Sequence, residues 1–64
     1  MALLASAPTL EMITESVTRF YAGEIKTLEV ERENVWTVHN PDGMPLIGVR
    51  VVKRGKRYRL ETVL

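Results

Sequence analysis

The chain of 64 residues contains no cysteine, and this absence removes two ways of stabilising a small fold. Neither a disulfide bond nor a thiolate metal site can form. A sequence without cysteine also suits a reducing compartment, so we expect a cytoplasmic protein. A domain of this size buries only about 60% of the surface that its unfolded chain exposes. We therefore expect residues 1–64 to form one small domain of marginal stability.

Long hydrophobic runs are missing as well. No apolar stretch approaches the roughly 18 residues that cross a membrane as a helix, so we expect no membrane association. Residues 1–7 resemble a secretory leader only superficially, because they have no basic start and their apolar part is short. We interpret residues 1–8 as a flexible or partner-docked segment.

Acidic and basic residues are separated along the chain, although the net charge is only +1. Residues 1–42 carry seven acidic and three basic side chains, a net charge of −4. Residues 43–64 carry six basic side chains and one acidic side chain, a net charge of +5. Such an asymmetry indicates either an anionic partner or attraction between neighbouring strands of opposite charge.

Residues 10–22 have the spacing of an amphipathic helix. Thr9 is placed to cap its first turn through the side-chain hydroxyl, and Gly23 is placed to end it. The main apolar residues recur at steps of three and four and so share one face: Leu10, Ile13, Val17 and Tyr21.

Beyond Gly23 the apolar period shortens to two, which predicts β-strands. The predicted strands are residues 25–31, 35–39, 45–52 and 57–63. Asn40-Pro41-Asp42-Gly43 has the composition of a tight turn, and Gly48 indicates a bulge or a close approach to the backbone. Because short connections favour antiparallel neighbours, the sequence predicts an α+β fold. Its N-terminal helix packs on a four-stranded antiparallel β-meander, which is either an open sheet or a small barrel.

The alternation within these strands predicts which side chains contact the helix. The predicted core face of the sheet consists of Leu28, Val30, Trp36, Val38, Ile47, Val49, Val51, Tyr58 and Leu60. Leu46 then lies on the opposite face, and Phe20 lies at the edge of the helix stripe. We take Leu46 and Phe20 as the candidate apolar interface. The excess of apolar surface predicts a homo-oligomer, in the first place a dimer.

Basic residues cluster between positions 50 and 59. The candidate contacts to an anionic partner such as nucleic acid are Arg50, Lys53, Arg54, Lys56, Arg57 and Arg59. The alternative is that these cations protect a sheet edge or pair across strands. The acidic partners would then be Glu29, Glu31 and Glu61.

No residue pattern indicates catalysis, a cofactor, a metal ion or a small-molecule substrate. His39 is the only histidine, whereas a zinc site needs three or four ligands, so we expect a solvated histidine at a strand end. No nucleophile elbow or phosphate-binding loop is present. The sequence therefore favours a non-enzymatic interaction, assembly or accessory module that binds itself or another protein. The alternative is a nucleic-acid-binding regulatory module that uses the hairpin of residues 50–59.

Overall fold

A computed structural model describes residues 2–21 and 27–62. This part of the chain forms one α-helix and five β-strands. They are β1 (Leu3–Ala7), α1 (Leu10–Phe20), β2 (Thr27–Arg32), β3 (Val35–His39), β4 (Pro45–Arg54) and β5 (Arg57–Thr62). The predictions for helix residue 22, the helix stop at Gly23 and strand residues 25, 26 and 63 lie outside the described residues.

The five strands form one open antiparallel sheet in the order β1-β5-β4-β3-β2. Strands β2 to β5 make the predicted meander, so the α+β class and the antiparallel sheet are confirmed. The sheet has one strand more than predicted, because β1 pairs with β5 at the edge. The interpretation of residues 1–8 as a flexible or partner-docked segment does not include β1. Its sequence, Leu-Leu-Ala-Ser-Ala, lacks a clear polar–apolar alternation, and alanine is not favoured in strands.

Helix α1 begins where its cap predicts. The Thr9 hydroxyl accepts a hydrogen bond from the backbone N–H of Met12 at 3.1 Å, which satisfies one of the free donors of the first turn. Ile13 and Val17, on the predicted apolar face, are 0% and 1% exposed. The helix therefore packs on the sheet through the stripe that its spacing indicates.

The hydrophobic core lies between α1 and one face of the sheet, which we call the helix face. Leu28, Trp36 and Tyr58 pack partly against this core, as predicted, and the rings of Trp36 and Tyr58 meet edge to face at 5.5 Å. The buried residues of the core are Ala7, Ile13, Val17, Val38, Val49, Val51 and Leu60.

Two residues predicted for the core are exposed instead. Val30 is 73% exposed, because α1 packs mainly on β1 and β5 and Val30 lies in β2 at the opposite edge of the sheet. Ile47 is 90% exposed because of a backbone irregularity in β4. The sheet is thus covered by the helix at one edge only.

The face of the sheet turned away from α1, here called the polar face, carries most of the charged side chains of the strands. By register, Arg50 lies opposite Glu61, and Arg54 lies opposite Arg57. Val35 is also buried. Because it lies on the polar face, it does not belong to the core beneath the helix.

Candidate functional site

The regular alternation of β4 breaks at a bulge. Between two consecutive cross-strand pairs, β3 contains one residue whereas β4 contains four, residues 46–49. Gly48 has a φ angle of +91°, which residues with a side chain rarely adopt. Of the two possibilities that Gly48 indicates, a bulge or a close approach to the backbone, the register shift shows a bulge. We use the name "bulge" below for Leu46, Ile47 and Gly48.

The bulge reverses the expected directions of two apolar side chains. Leu46 is half-buried and packs against the core, whereas Ile47 is 90% exposed. The prediction that Ile47 faces the core and Leu46 faces away is wrong, because extra residues shift the period-two alternation of a strand. Leu46, a candidate interface residue, thus contributes to core packing, and Ile47 takes its place at the surface.

A hydrogen-bonded turn holds the chain just before the bulge. The Gly43 N–H donates to the Asn40 carbonyl at 2.9 Å. The Asn40 side-chain oxygen accepts the N–H groups of Asp42 and Met44, each at 3.0 Å. The predicted turn at residues 40–43 is confirmed. It leaves Met44 63% exposed, so a second large apolar side chain precedes Ile47 at the surface.

An open depression of about 310 Å³ lies beside the bulge. On its polar side, Arg50 Nε lies 3.3 Å from Glu31 Oε2, and the Thr37 hydroxyl donates to the same oxygen at 3.0 Å. The remaining lining consists of Pro45, Leu46, Ile47, Gly48 and Val49. The depression thus combines an apolar wall with one neutralised pair of charges.

The hairpin between β4 and β5 gathers five of the six candidate basic residues, here called the basic end: Lys53, Arg54, Lys56, Arg57 and Arg59. Arg54 and Arg57 are direct cross-strand partners, joined by the turn of Gly55 and Lys56. Like charges in this position destabilise a hairpin. The hairpin therefore concentrates positive charge at a cost to its own stability.

One mostly buried carboxylate lies among these cations. Glu61 Oε2 is 3.0 Å from Arg59 Nε and 3.7 Å from Arg54 Nε, and its side chain is only 10% exposed. Although Arg59 Nε is this close, it is buried and forms no hydrogen bond within the described residues. The contact is therefore an ion pair whose N–H does not point at the oxygen. Two guanidinium groups share one carboxylate, so a positive charge remains.

The other three cations of the basic end have no carboxylate within ion-pair distance in residues 2–21 and 27–62. Lys53 Nζ lies over the Tyr58 ring, 5.6 Å from its centroid. Arg57 Nε donates to the Ser6 hydroxyl at 3.0 Å, and Lys56 is an exposed turn residue. Ser6 is a contact that sequence reasoning missed, because it lies in the unpredicted strand β1.

Pairing across strands, the alternative to an anionic partner, holds for part of the cluster. Arg50 pairs with Glu31 and Arg59 with Glu61, as that alternative expects. Arg57, in contrast, contacts a hydroxyl rather than a carboxylate. The structure thus separates Arg50, which lines the depression with its acidic partner, from the basic end.

Phe20, the other candidate interface residue, lies at the end of α1. Its side chain is 53% exposed, and its ring meets that of Tyr21 edge to face at 5.5 Å. Phe20 does not line the depression. The two candidate interface residues therefore belong to different parts of the surface.

His39 is mostly buried rather than solvated, with a side chain 13% exposed. It belongs to β3, an inner strand between β2 and β4, so side chains of both neighbouring strands flank it on the same face. Nδ1 lies 3.3 Å from the Thr37 carbonyl oxygen, and Nε2 lies 3.7 Å from a Glu29 carboxylate oxygen. Within the described ranges, no three histidine, aspartate or glutamate side chains come together in a way that could hold a metal ion.

The candidate functional surfaces are therefore the bulge with its depression, and the basic end. In the part of the chain that the structure describes, no helix has both the length and the apolar character needed to cross a bilayer. Comparison of this chain with protein-family models, curated proteins and solved structures found no match.

Proposed function

We propose that this protein is a small, non-enzymatic interaction and assembly module in which two copies associate through the bulge. The observation that carries the proposal is the 90% exposure of Ile47. An isolated apolar side chain at a protein surface is ordinary. Ile47 differs because it projects from a backbone irregularity, follows the exposed Met44 and adjoins a depression with an apolar wall.

A second copy of the chain fits this surface better than an unrelated partner does. A two-fold axis brings the same patch of both copies together, so the patch must be complementary to itself. The bulge provides a projecting side chain, Ile47, and the depression beside it provides a recess. Its rim carries Glu31 and Arg50, which neutralise each other within one copy, so the patches of two copies can meet without charge repulsion.

The expected affinity follows from the apolar area available. Burying one isoleucine side chain contributes about 1.5–3 kcal/mol, so the two copies of Ile47 contribute about 3–6 kcal/mol. A micromolar complex needs a net free energy of about 8 kcal/mol, after the costs of association have been met. We therefore expect a dimer in rapid exchange with the monomer, with a dissociation constant above roughly 10 µM.

Sedimentation equilibrium over a range of protein concentrations tests this proposal. We expect a monomer–dimer equilibrium that changes little between about 0.15 and 1 M salt, because apolar contacts are not screened as charges are. Ile47→Asp should raise the dissociation constant at least tenfold, about 1.4 kcal/mol or more. The chain offers a matched control in Val30→Asp, which alters another exposed aliphatic residue, on β2 and the helix face.

Val30→Asp should leave the equilibrium unchanged, and far-ultraviolet circular dichroism should show that both variants are folded. A protein that stays monomeric at every concentration would overturn the proposal. So would an equal loss of association in the two variants, because the contact would then not depend on the bulge.

The proposal includes a cytoplasmic location, which rests on the absence of cysteine from the sequence. Fractionation of cells that produce the protein with a small epitope tag tests this part separately. Recovery with the membrane or extracellular fraction would contradict it.

A further inference from the structure

We propose that the basic end binds the phosphate backbone on both sides of a groove of double-stranded DNA. The residues involved are Lys53, Arg54, Lys56, Arg57 and Arg59. They are separate from the bulge, so this inference goes beyond the proposed self-association and does not depend on it.

The first observation is an excess of charge that the fold does not neutralise. Among the described residues, Glu61 is the one carboxylate within ion-pair distance of the five cations of the basic end, so it neutralises at most one of their five charges. Lys53, Lys56 and Arg57 have no acidic partner within the described residues. Charges that only served to pair strands would be balanced. Their imbalance indicates an external anion.

The second observation is the arrangement of these cations around the ribbon. Arg54 and Arg57 are cross-strand partners on the polar face, and Arg59 lies on the same face. Lys53 is on the opposite, helix face, where it is the partner of Tyr58. Cations therefore lie on both faces of the hairpin, most of them on the polar face. A flat anionic surface would contact one face only, whereas a groove has phosphates along both walls.

The third observation is that the hairpin tip has no flanking strand. The last pair of β3 with β4 toward the tip is Val35 with Val52, and the last pair of β1 with β5 is Ala7 with Tyr58. Residues 54–57, one cross-strand pair and its turn, therefore extend past both neighbours as the tip of the β4–β5 ribbon. At the base of this tip, the Lys53 N–H donates to the Asn34 carbonyl at 2.9 Å. The major groove of B-DNA, about 12 Å wide, admits such a ribbon. A-form RNA is less suitable, because its major groove is deep and narrow.

Arg54, Lys56 and Arg57 lie at the tip itself, and such side chains reach phosphates without close packing against bases. Contacts of this kind position a protein on a duplex but carry no sequence information. We therefore expect binding with little sequence preference. Arginine at three of the five positions suits bidentate contacts to phosphate oxygens.

Fluorescence anisotropy of a labelled mixed-sequence DNA duplex, titrated with the full chain, tests the proposal. A footprint of four phosphates should lose roughly a hundredfold in affinity when the salt rises from about 50 to 200 mM. Arg57→Glu should weaken binding at least about tenfold at the lower salt, because it removes a contact and adds repulsion. The matched control is Arg19→Glu, the same charge change near the far end of α1, which should have a much smaller effect.

A second variant, Lys53→Gln/Lys56→Gln, keeps both ion pairs of Glu61 and so tests the charge without disturbing them. It should also weaken binding about tenfold or more. Absence of duplex binding at the lower salt would overturn the proposal. Equal losses for Arg57→Glu and Arg19→Glu would overturn it too, because attraction would then follow total charge. Tighter binding to the single strand than to the duplex would exclude a groove.

Discussion

The two ends of strand β4 differ. At its start the backbone bulges, and Ile47 lies at the surface while Leu46 turns inward. At its far end the pairing is regular up to Arg54 and Arg57, and the chain reverses through Gly55. The first end exposes apolar side chains and the second exposes positive charge. One strand can therefore supply two distinct surfaces.

The two surfaces have different physical origins. The exposure of Ile47 depends on the backbone, since four residues of β4 occupy a stretch in which β3 has one. The backbone of the basic end is regular, and Arg54 lies directly opposite Arg57. Its charge therefore depends on which side chains the sequence places there. Changes of backbone preference should consequently alter the bulge, and changes of charge should alter the basic end.

The largest expected effect comes from the glycines at the two ends of β4. Gly48 and Gly55 both have positive φ angles, +91° and +63°, and Gly48 is buried whereas an added Cβ at Gly55 would meet open space. Gly48→Ala should lower the free energy of unfolding by about 2 kcal/mol, and Gly55→Ala by about 1 kcal/mol. Urea unfolding followed by Trp36 fluorescence measures both. Equal losses would mean that the bulge does not constrain the backbone more than the turn does.

The next effect separates the two apolar neighbours in the bulge. Leu46→Ala should cost about 1–2 kcal/mol of stability, because half of a leucine side chain leaves the core. Ile47→Ala should change stability by less than about 0.5 kcal/mol, since this side chain is already in water. The same urea titration measures both values. A larger cost for Ile47→Ala would contradict the inversion of the two side chains.

The smallest effect concerns the carboxylate that Arg54 and Arg59 share. Glu61→Gln should lower stability by about 1 kcal/mol, a modest value because both arginines are partly exposed. The same change should raise duplex affinity roughly threefold to tenfold, because it adds one net positive charge at the basic end. Glu15→Gln, on an exposed position of α1, is the control. Unchanged affinity for Glu61→Gln would show that this cluster does not face the DNA.

Local patterns in the sequence account for much of this fold. The apolar spacing of α1, the Thr9 cap and the turn at Asn40 depend on neighbouring residues only, and all three were predicted correctly. Strand β1 was missed because its five small and apolar residues become a strand only through pairing with β5. That pairing is a long-range contact that no local pattern reports.

The candidate surfaces were predictable to different degrees. The cluster of cations could be predicted, because its members are close in sequence and the regular pairing of β4 with β5 keeps them close in space. The exposure of Ile47 was not predicted, although Gly48 indicated a bulge, because a bulge can shift the alternation in either direction along the strand. The sharing of Glu61 by two arginines also depends on three-dimensional placement, which the one-dimensional pattern does not contain.

The pairing of β1 with β5 has a consequence for how the molecule folds. Leu3 and Glu61 are register partners although 57 residues separate them along the chain. Strands β2 to β5 can pair with their neighbours as successive hairpins, whereas β1 must close a long loop at an entropic cost. During synthesis on the ribosome, the sheet edge under α1 must therefore wait for β5 to emerge. We expect the meander to form first and β1 with its helix to dock last.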